Sequence, residues 1–506
     1  MTFLGIDLGT SEVKVILTEQ DSTIIASGAV RLRVDTPHPH WSEQSPQAWW
    51  HATVDAIAEV RAKAPVPFKA LRGIGLSGQM HGATLLDKGG QVLRPAILWN
   101  DTRSYAECVE LETLVPESGT ITGNLAMPGF TAPKLLWLAK YEPAVFRAIH
   151  KVLLPKDYVA WRLSGEFVSE MSDASGTLWL DVARRDWSDR MLEATGLSRD
   201  HMPRLVEGSD AASSLRDDLR REWGIDAAVT LCGGAGDNAA SAVGIGVAGA
   251  GDAFLSLGTS GVLFAGTDRF APNPAQAVHA FCHCLPGQWH QMSVILSAAS
   301  SLSWLAATLK VDVASLVEAA ERVGGLPESA ASNAPAESVS QAVATAPIFL
   351  PYLSGERTPH NDANAKGVFY GLTGSHDASH LAYSVMEGVA FAMADGYAAL
   401  QGAGTTLSHA SILGGGSRSA FWAQLCADAT GISMRRHEGS EVGAALGAAR
   451  LARLAVTHEA PSDVCVAPRV IETRDAGTMR SDILSGRLER YRRLYRALSA
   501  EFAMPA

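Results

Sequence analysis

Residues Ile6 to Leu17 read IDLGTSEVKVIL, and residues Leu255 to Gly266 read LSLGTSGVLFAG. Each copy is an apolar strand, a tight turn of small residues and a second strand. A chain of 506 residues is longer than one core ordinarily carries, so recurrence of this unit about halfway along is read as two lobes of similar build. We place the boundary near Val247, giving lobes over 1–246 and 247–490. The copies differ where chemistry matters. Asp7 in the first is matched by Ser256 in the second, so only one copy keeps an acidic group.

Local patterning extends this reading. Phe3 to Leu8, Val13 to Thr18 and Thr23 to Val30 are expected as a meander of strands, with turn residues between them. Pro46 to Arg61 has helical spacing, and a strand over Gly73 to Ser77 leads into GQMHG. Strands and helices alternate from there, which predicts an α/β fold. Gly224 to Gly251 is rich in Gly and Ala and contains GGAGDNAASAVGIG, read as strand, loop and close-packed helix at the hinge between lobes. Ser329 to Pro347, rich in Ala and Ser, is expected as a surface insertion. Asp482 to Phe502 has helical periodicity, with Arg and Tyr assigned to its outer face.

The charge balance narrows the partners. A formal net charge of −11 repels a phosphate backbone and an anionic membrane at long range, so neither nucleic acid nor membrane is expected as the main partner. The opening MTFLGIDLGT carries no secretory pattern, and no apolar run reaches spanning length. A cytoplasmic location is the expectation. The six cysteines are too sparse for a disulfide framework and are read as reduced thiols. Cys282, His283 and Cys284, with His279 and His290 nearby, raise a metal site. Adjacent residues on a strand point to opposite faces, so this reading is set aside.

A phosphate must be held by several backbone N–H groups, which requires turns without obstructing side chains. Three such turns follow strands: Gly9, Thr10 and Ser11; Gly258, Thr259 and Ser260; and Gly414, Gly415, Gly416 and Ser417 after a strand at Ser411 to Leu413. Neither the Walker A pattern nor the glycine loop of protein kinases is present. Two matched hairpins plus a strand, GGG and helix make the arrangement of two actin-like ATPase domains, ribonuclease H-like, with a catalytic cleft between them.

GFTAPKLLWL at Gly129 to Leu138, GVFYGL at Gly367 to Leu372 and HLAYSVME at His380 to Glu387 resemble the signatures of the FGGY family of carbohydrate kinases. WSEQ, GQMHGATLLD, PAILWND, PKDY, GGAGDNAA, SLGTSG, YLSGERTPH and EVGAALGAARLA extend the resemblance in order, nearly end to end as far as about Val470. The resemblance implies an ATP-dependent, Mg²⁺-assisted kinase that phosphorylates a hydroxyl of a small sugar. It points first to D-xylulose giving D-xylulose 5-phosphate, then to another ketose or a pentitol, and it implies a homodimer as a common assembly. A reading from another class is an actin-like ATPase whose output is conformational. The pocket string GQMHG and the Asp237 loop count against it.

Phosphoryl transfer to an alcohol needs a carboxylate able to take the proton as the O–P bond forms. Asp237, in a Gly-rich loop at a strand end where the resemblance places the catalytic aspartate, is the candidate base; a helix cap is the competing role. Asp7 ends the first strand beside a phosphate turn, where a carboxylate can hold Mg²⁺, and the resemblance implies a catalytic role for it. A hydrogen-bonded structural aspartate is its alternative. Met80 and His81 resemble the family's substrate pair, Asn238 shares that pocket, and Trp99 and Asp101 are expected as wall and rim. Lys134, Trp137, Glu356 and Arg357 remain unassigned between structural and site roles.

Overall fold

The computed structural model describes residues 1–325, 336–438 and 443–504, with side chains throughout except at 336–340 and 478–481. The first lobe is built on a seven-stranded sheet. Thr2–Leu8, Glu12–Glu19 and Ile24–Arg31 form the expected antiparallel meander, and Leu71–Gly78 joins the first strand on its other side in parallel. Thr230–Cys232 and Ala211–Ser214 continue that edge, and the short Ala235–Gly236 also pairs with Leu71–Gly78. The first strand is buried along almost its whole length because helices cover both faces of the sheet.

Pro46–Lys63 is one of those helices. Proline at its first turn costs no hydrogen bond, and Trp49, Thr53, Ala56 and Val60 recur at helical spacing on the buried side. Arg61 and Lys63 in the last turn complement the helix dipole.

The second lobe repeats the plan. The hairpin Ala253–Leu257 and Gly261–Thr267 takes His409–Leu413 alongside in parallel, and Trp289–Ile295, His279–Cys282, Ser433–His437 and Val470–Arg474 complete a second seven-stranded sheet. Ser256 pairs with Leu413 as Asp7 pairs with Ser77, so the sequence repeat is also a repeat of register. Ala378–Gly402 runs through this lobe with apolar residues buried on every side over Ala382 to Ala394, as an interior helix must be. Asp377 caps it, accepting from the Ser379 and His380 N–H groups.

Three features depart from expectation. Helix Gly443–Thr457 follows the second lobe's strands in sequence yet packs on the first lobe's sheet and against helix Asp237–Gly244. The division at Val247 therefore separates the sheets but not this helix. The approach is backbone to backbone: a Cβ on Gly75 would lie 1.9 Å from the Ala448 carbonyl oxygen. Second, the Arg and Tyr residues of the final helix, Thr478–Phe502, are not all on its outer face. Tyr491 is wholly buried with its hydroxyl 2.7 Å from that of Tyr352, and Arg487 forms a bidentate pair with Glu387. These inward residues anchor the tail to the lobe. Third, the insertion expected over Ser329 to Pro347 lies outside the described residues up to 335, and Ala336–Thr345 is helical. Among the described residues all six cysteines are free and buried, and no helix is long and apolar enough to cross a membrane.

Candidate active site

Parallel pairing brings the two candidate carboxylates together. Asp7 stands opposite Ser77 and Ala235 stands opposite the same Ser77, so the ends of three neighbouring strands align, with Gly236 level with Gly78. Asp237 is the next residue and opens helix Asp237–Gly244. Carboxyl ends of parallel strands are where open α/β sheets present their ligand sites. Ser77 Oγ donates to Asp7 Oδ1 at 3.0 Å. Asp237 Oδ1 accepts from the Asn238 N–H at 2.7 Å and from Asn238 Nδ2 at 2.9 Å. Burial pushes Asp237 up to about 7, and repulsion from Asp7 adds to it against the pull of the Asn238 bonds. Burial also raises Asp7, opposed by Ser77 and by Lys14 across the hairpin.

Met80 and His81 follow the strand Leu71–Gly78 after Gln79. Met80 is buried against the loop that bears Asp237: a Cβ on Gly236 would sit 3.0 Å from its Sδ. His81 has a φ of 70°, and its Nδ1 lies 2.7 Å from the Gly176 carbonyl oxygen. A carbonyl only accepts, so Nδ1 carries the proton and Nε2 is left as an acceptor. Burial drives His81 down to about 3, helped by the charges of Lys134 and Arg357, and the ring is neutral at physiological pH. Lys134 Nζ donates to the His81 carbonyl at 2.9 Å and to the Gly129 carbonyl at 2.8 Å, which fixes the backbone under the imidazole. Burial brings this lysine down to about 7.

Trp99 is 44% exposed and its Nε1 donates to Thr10 Oγ1 at 3.0 Å. Thr10 Oγ1 donates in turn to Gln79 Oε1, Gln79 Nε2 to Gln44 Oε1, and Gln44 Nε2 to the Thr10 carbonyl. This closed circuit ties the first glycine turn to the loop carrying Met80 and His81. Asp101 departs from its expected place on the rim. It is completely buried, its carboxylate taken up by the Ser42 N–H and by Arg103, which also pairs with Glu43. Asp101 offers a ligand no surface and braces the wall from behind. An aspartate beside an exposed tryptophan reads as rim in sequence because its partner Arg103 declares itself only in three dimensions.

In the second lobe the turns of Gly258, Thr259 and Ser260 and of Gly414 to Ser417 lie side by side, because their strands pair in parallel. Gly414 has a φ of 83°, and a Cβ there would lie 2.7 Å from the Leu257 carbonyl oxygen. The Thr259 carbonyl accepts from the Ala298 N–H and from Ser300 Oγ at 2.7 Å, which pins the turn to the start of helix Ala299–Leu309. Gly9, Thr10 and Ser11 stand at the strand ends of the first lobe's sheet.

Sequence reasoning missed the support beneath Asp237. Lys156 Nζ sits wholly buried, 2.6 Å from Asp157 and within 3.6 Å of Glu170 and 3.5 Å of Asp173. Glu170 Oε1 accepts from Ser172 Oγ, which accepts from the Gly236 N–H at 3.0 Å. The string PKDY supplies two of these charges, but nothing local in it reaches Glu170 or Asp173.

Residues 2–244 match the model of the N-terminal domain of the FGGY family of carbohydrate kinases, and residues 253–456 match that of its C-terminal domain. The chain belongs to the FGGY family of carbohydrate kinases. It is 49% identical to the xylulose kinase of Escherichia coli (strain K12) over 98% of this chain and 99% of that one. The solved structure of a xyloylose kinase from Brucella ovis superposes with a TM-score of 0.93 at 48% identity, covering 99% of this chain and 100% of that one. That of a xylulose kinase from Rhodospirillum rubrum gives 0.88 at 26% identity, with full coverage of both. Like other kinases of this FGGY group, the chain uses ATP to phosphorylate a carbohydrate.

Proposed function

We propose that this carbohydrate kinase transfers the γ-phosphoryl group of ATP to the terminal hydroxyl of D-xylulose, giving ADP and D-xylulose 5-phosphate. The observation that carries the reading is Asp237, its pKa raised to about 7 at a strand end beside Met80, with neutral His81 next in the chain. Near-identical length and 49% identity to a xylulose kinase support the choice of sugar.

An alcohol is too weak an acid to ionise first, so Asp237 takes the proton as the new O–P bond forms and the bond from γ-phosphorus to the ADP oxygen breaks. Asn238 occupies Oδ1 and leaves Oδ2 to receive it. His81 Nε2 accepts a hydrogen bond from a sugar hydroxyl, and Met80 forms the apolar wall. In the turn of Gly9, Thr10 and Ser11 the Gly9 N–H is held by the Glu12 carbonyl, so the backbone N–H groups of Thr10 and Ser11 and of Gly258 to Ser260 hold the phosphates, with Gly414 to Ser417 against the rest of the nucleotide. Asp7, with one hydroxyl donor and a second carboxylate beside it, fits a divalent cation, whose charge would offset their repulsion. Asp7 would hold Mg²⁺ there, and the ion would offset the charge of the phosphate oxygens. We assign the enzyme to the cytoplasm, in keeping with its buried reduced thiols, and a homodimer as its assembly, to be checked by light scattering on the eluted protein.

The test is ADP release with Mg·ATP across ketoses, aldoses and pentitols, run beside Asp237→Ala. Selective turnover of D-xylulose that falls by several orders of magnitude in the variant is expected. Preference for another sugar overturns the substrate, and ADP release indifferent to every sugar returns the conformational ATPase.

A further inference from the structure

One half-buried charge has no task in this mechanism. Arg357 stands in the second lobe, beyond the strand Ile348–Leu350. Its backbone N–H goes to the carboxylate of its neighbour Glu356. Among the described residues its guanidinium has one protein partner, His279 Nε2 at 3.4 Å, and no carboxylate within ion-pair distance. Buried arginines near carboxylates are ion-paired, by contrast: Arg103 pairs with Asp101 and Glu43, and Arg487 grips Glu387 with two nitrogens. Its remaining donors, without a protein partner among the described residues and half-buried, are open to an acceptor from outside the chain.

The surroundings identify where they meet it. Asn124 Nδ2 donates to the Thr122 and Ala280 carbonyls, which leaves its Oδ1 to accept from His279 Nδ1 at 2.9 Å. His279 Nε2 is then an acceptor, and the 3.4 Å contact is a donation from Arg357. The His279 ring lies flat on Phe281 and edge-on to Phe130, and Phe130 meets the His81 ring at 4.7 Å. The field of Arg357 reaches His81 itself. A continuous wall thus runs from the first lobe's pocket residue to an unpaired guanidinium of the second lobe.

We propose that Arg357 is the second lobe's sugar contact and the residue that favours a ketose over the corresponding polyol. The inference rests on the sugar-kinase reading above. A guanidinium only donates. The carbonyl oxygen of an open-chain ketose is the one sugar oxygen that only accepts, and it matches that fork without a competing proton. His81 Nε2, which only accepts, takes a hydroxyl from the other lobe. Reduction of the carbonyl to an alcohol removes the match at Arg357 and leaves the hydroxyl contact at His81.

Calorimetric titration of D-xylulose and of xylitol into the wild type, Arg357→Met and Arg357→Lys tests this, with melting curves confirming the fold of each. The wild type binds the ketose more tightly. In Arg357→Met the ketose weakens by roughly tenfold or more while xylitol changes by less than about threefold, so the preference collapses. Arg357→Lys keeps a point charge without the fork and falls between; should the methionine variant not fold, the lysine variant decides by the same ratio. Equal weakening of both ligands in a folded variant, or an unchanged ratio, overturns the proposal and leaves the kinase reading intact. Failure of the wild type to bind either ligand removes both.

Discussion

At the scale of the residue, Asp237 is unstable for the same reason that it is useful. Its pKa climbs from the ordinary 3.8 to about 7 because burial and Asp7 disfavour the charge. A base must be unprotonated to accept, so kcat/KM for the sugar is expected to rise with pH and level off above about 7, measured by coupled ADP release. The same shift costs stability. A carboxyl that holds its proton more tightly when folded leaves the folded state less favoured as pH rises from 3.8 towards 7. Asp237→Asn keeps the acceptor that Asn238 needs and discards the charge. It is expected to melt higher than the wild type at pH 8, to match it near pH 4, and to be inactive throughout; a variant less stable than the wild type at pH 8 contradicts this.

At the scale of the element, the crossing of helices Asp237–Gly244 and Gly443–Thr457 depends on the absence of side chains. A Cβ on Gly447 would sit 1.8 Å from the Ala240 carbonyl oxygen, and both atoms belong to backbone that cannot rotate away. Gly447→Ala is therefore expected to destabilise by about 1–3 kcal/mol through overpacking, read as a fall in melting temperature, and to lower activity because the partner helix begins at Asp237. Gly486, on the solvent-facing side of the C-terminal helix with open space around it, sets the contrast. Gly486→Ala is expected to leave activity alone and to stabilise by up to about 1 kcal/mol through helix propensity.

At the scale of the whole molecule, the two lobes are interlocked. Helix Gly443–Thr457 covers one face of a sheet whose strands all precede residue 247, so the lobe read from chain order lacks one of its own layers. A fragment of residues 1–246 exposes the apolar face around Phe3, Cys232 and Val243, and is expected to aggregate or to lack fixed near-ultraviolet dichroism. Scanning calorimetry of the full chain should show the lobes melting together. A fragment that is soluble, compact and cooperatively folded would mean that the swapped helix is dispensable.

The sequence by itself determined what short-range physics governs. Apolar alternation and turn residues placed both hairpins to within a residue or two, the GGG turn followed its strand, and the repeat of IDLGTS in LSLGTS announced two sheets of one design. The placement of Asp237, Met80 and His81 just past strand ends was legible because glycines mark those turns locally, whereas the roles proposed for them come from the family resemblance. Only the tertiary structure decided which strand ends lie side by side, that Asp101 turns inward to Arg103 while Trp99 stays on the cleft, that Lys156 gathers carboxylates from three positions, and that a helix from the far end of the chain closes the first lobe. Those depend on pairing between residues far apart in sequence, and a buried charge reveals its partner only when the fold has brought both out of water.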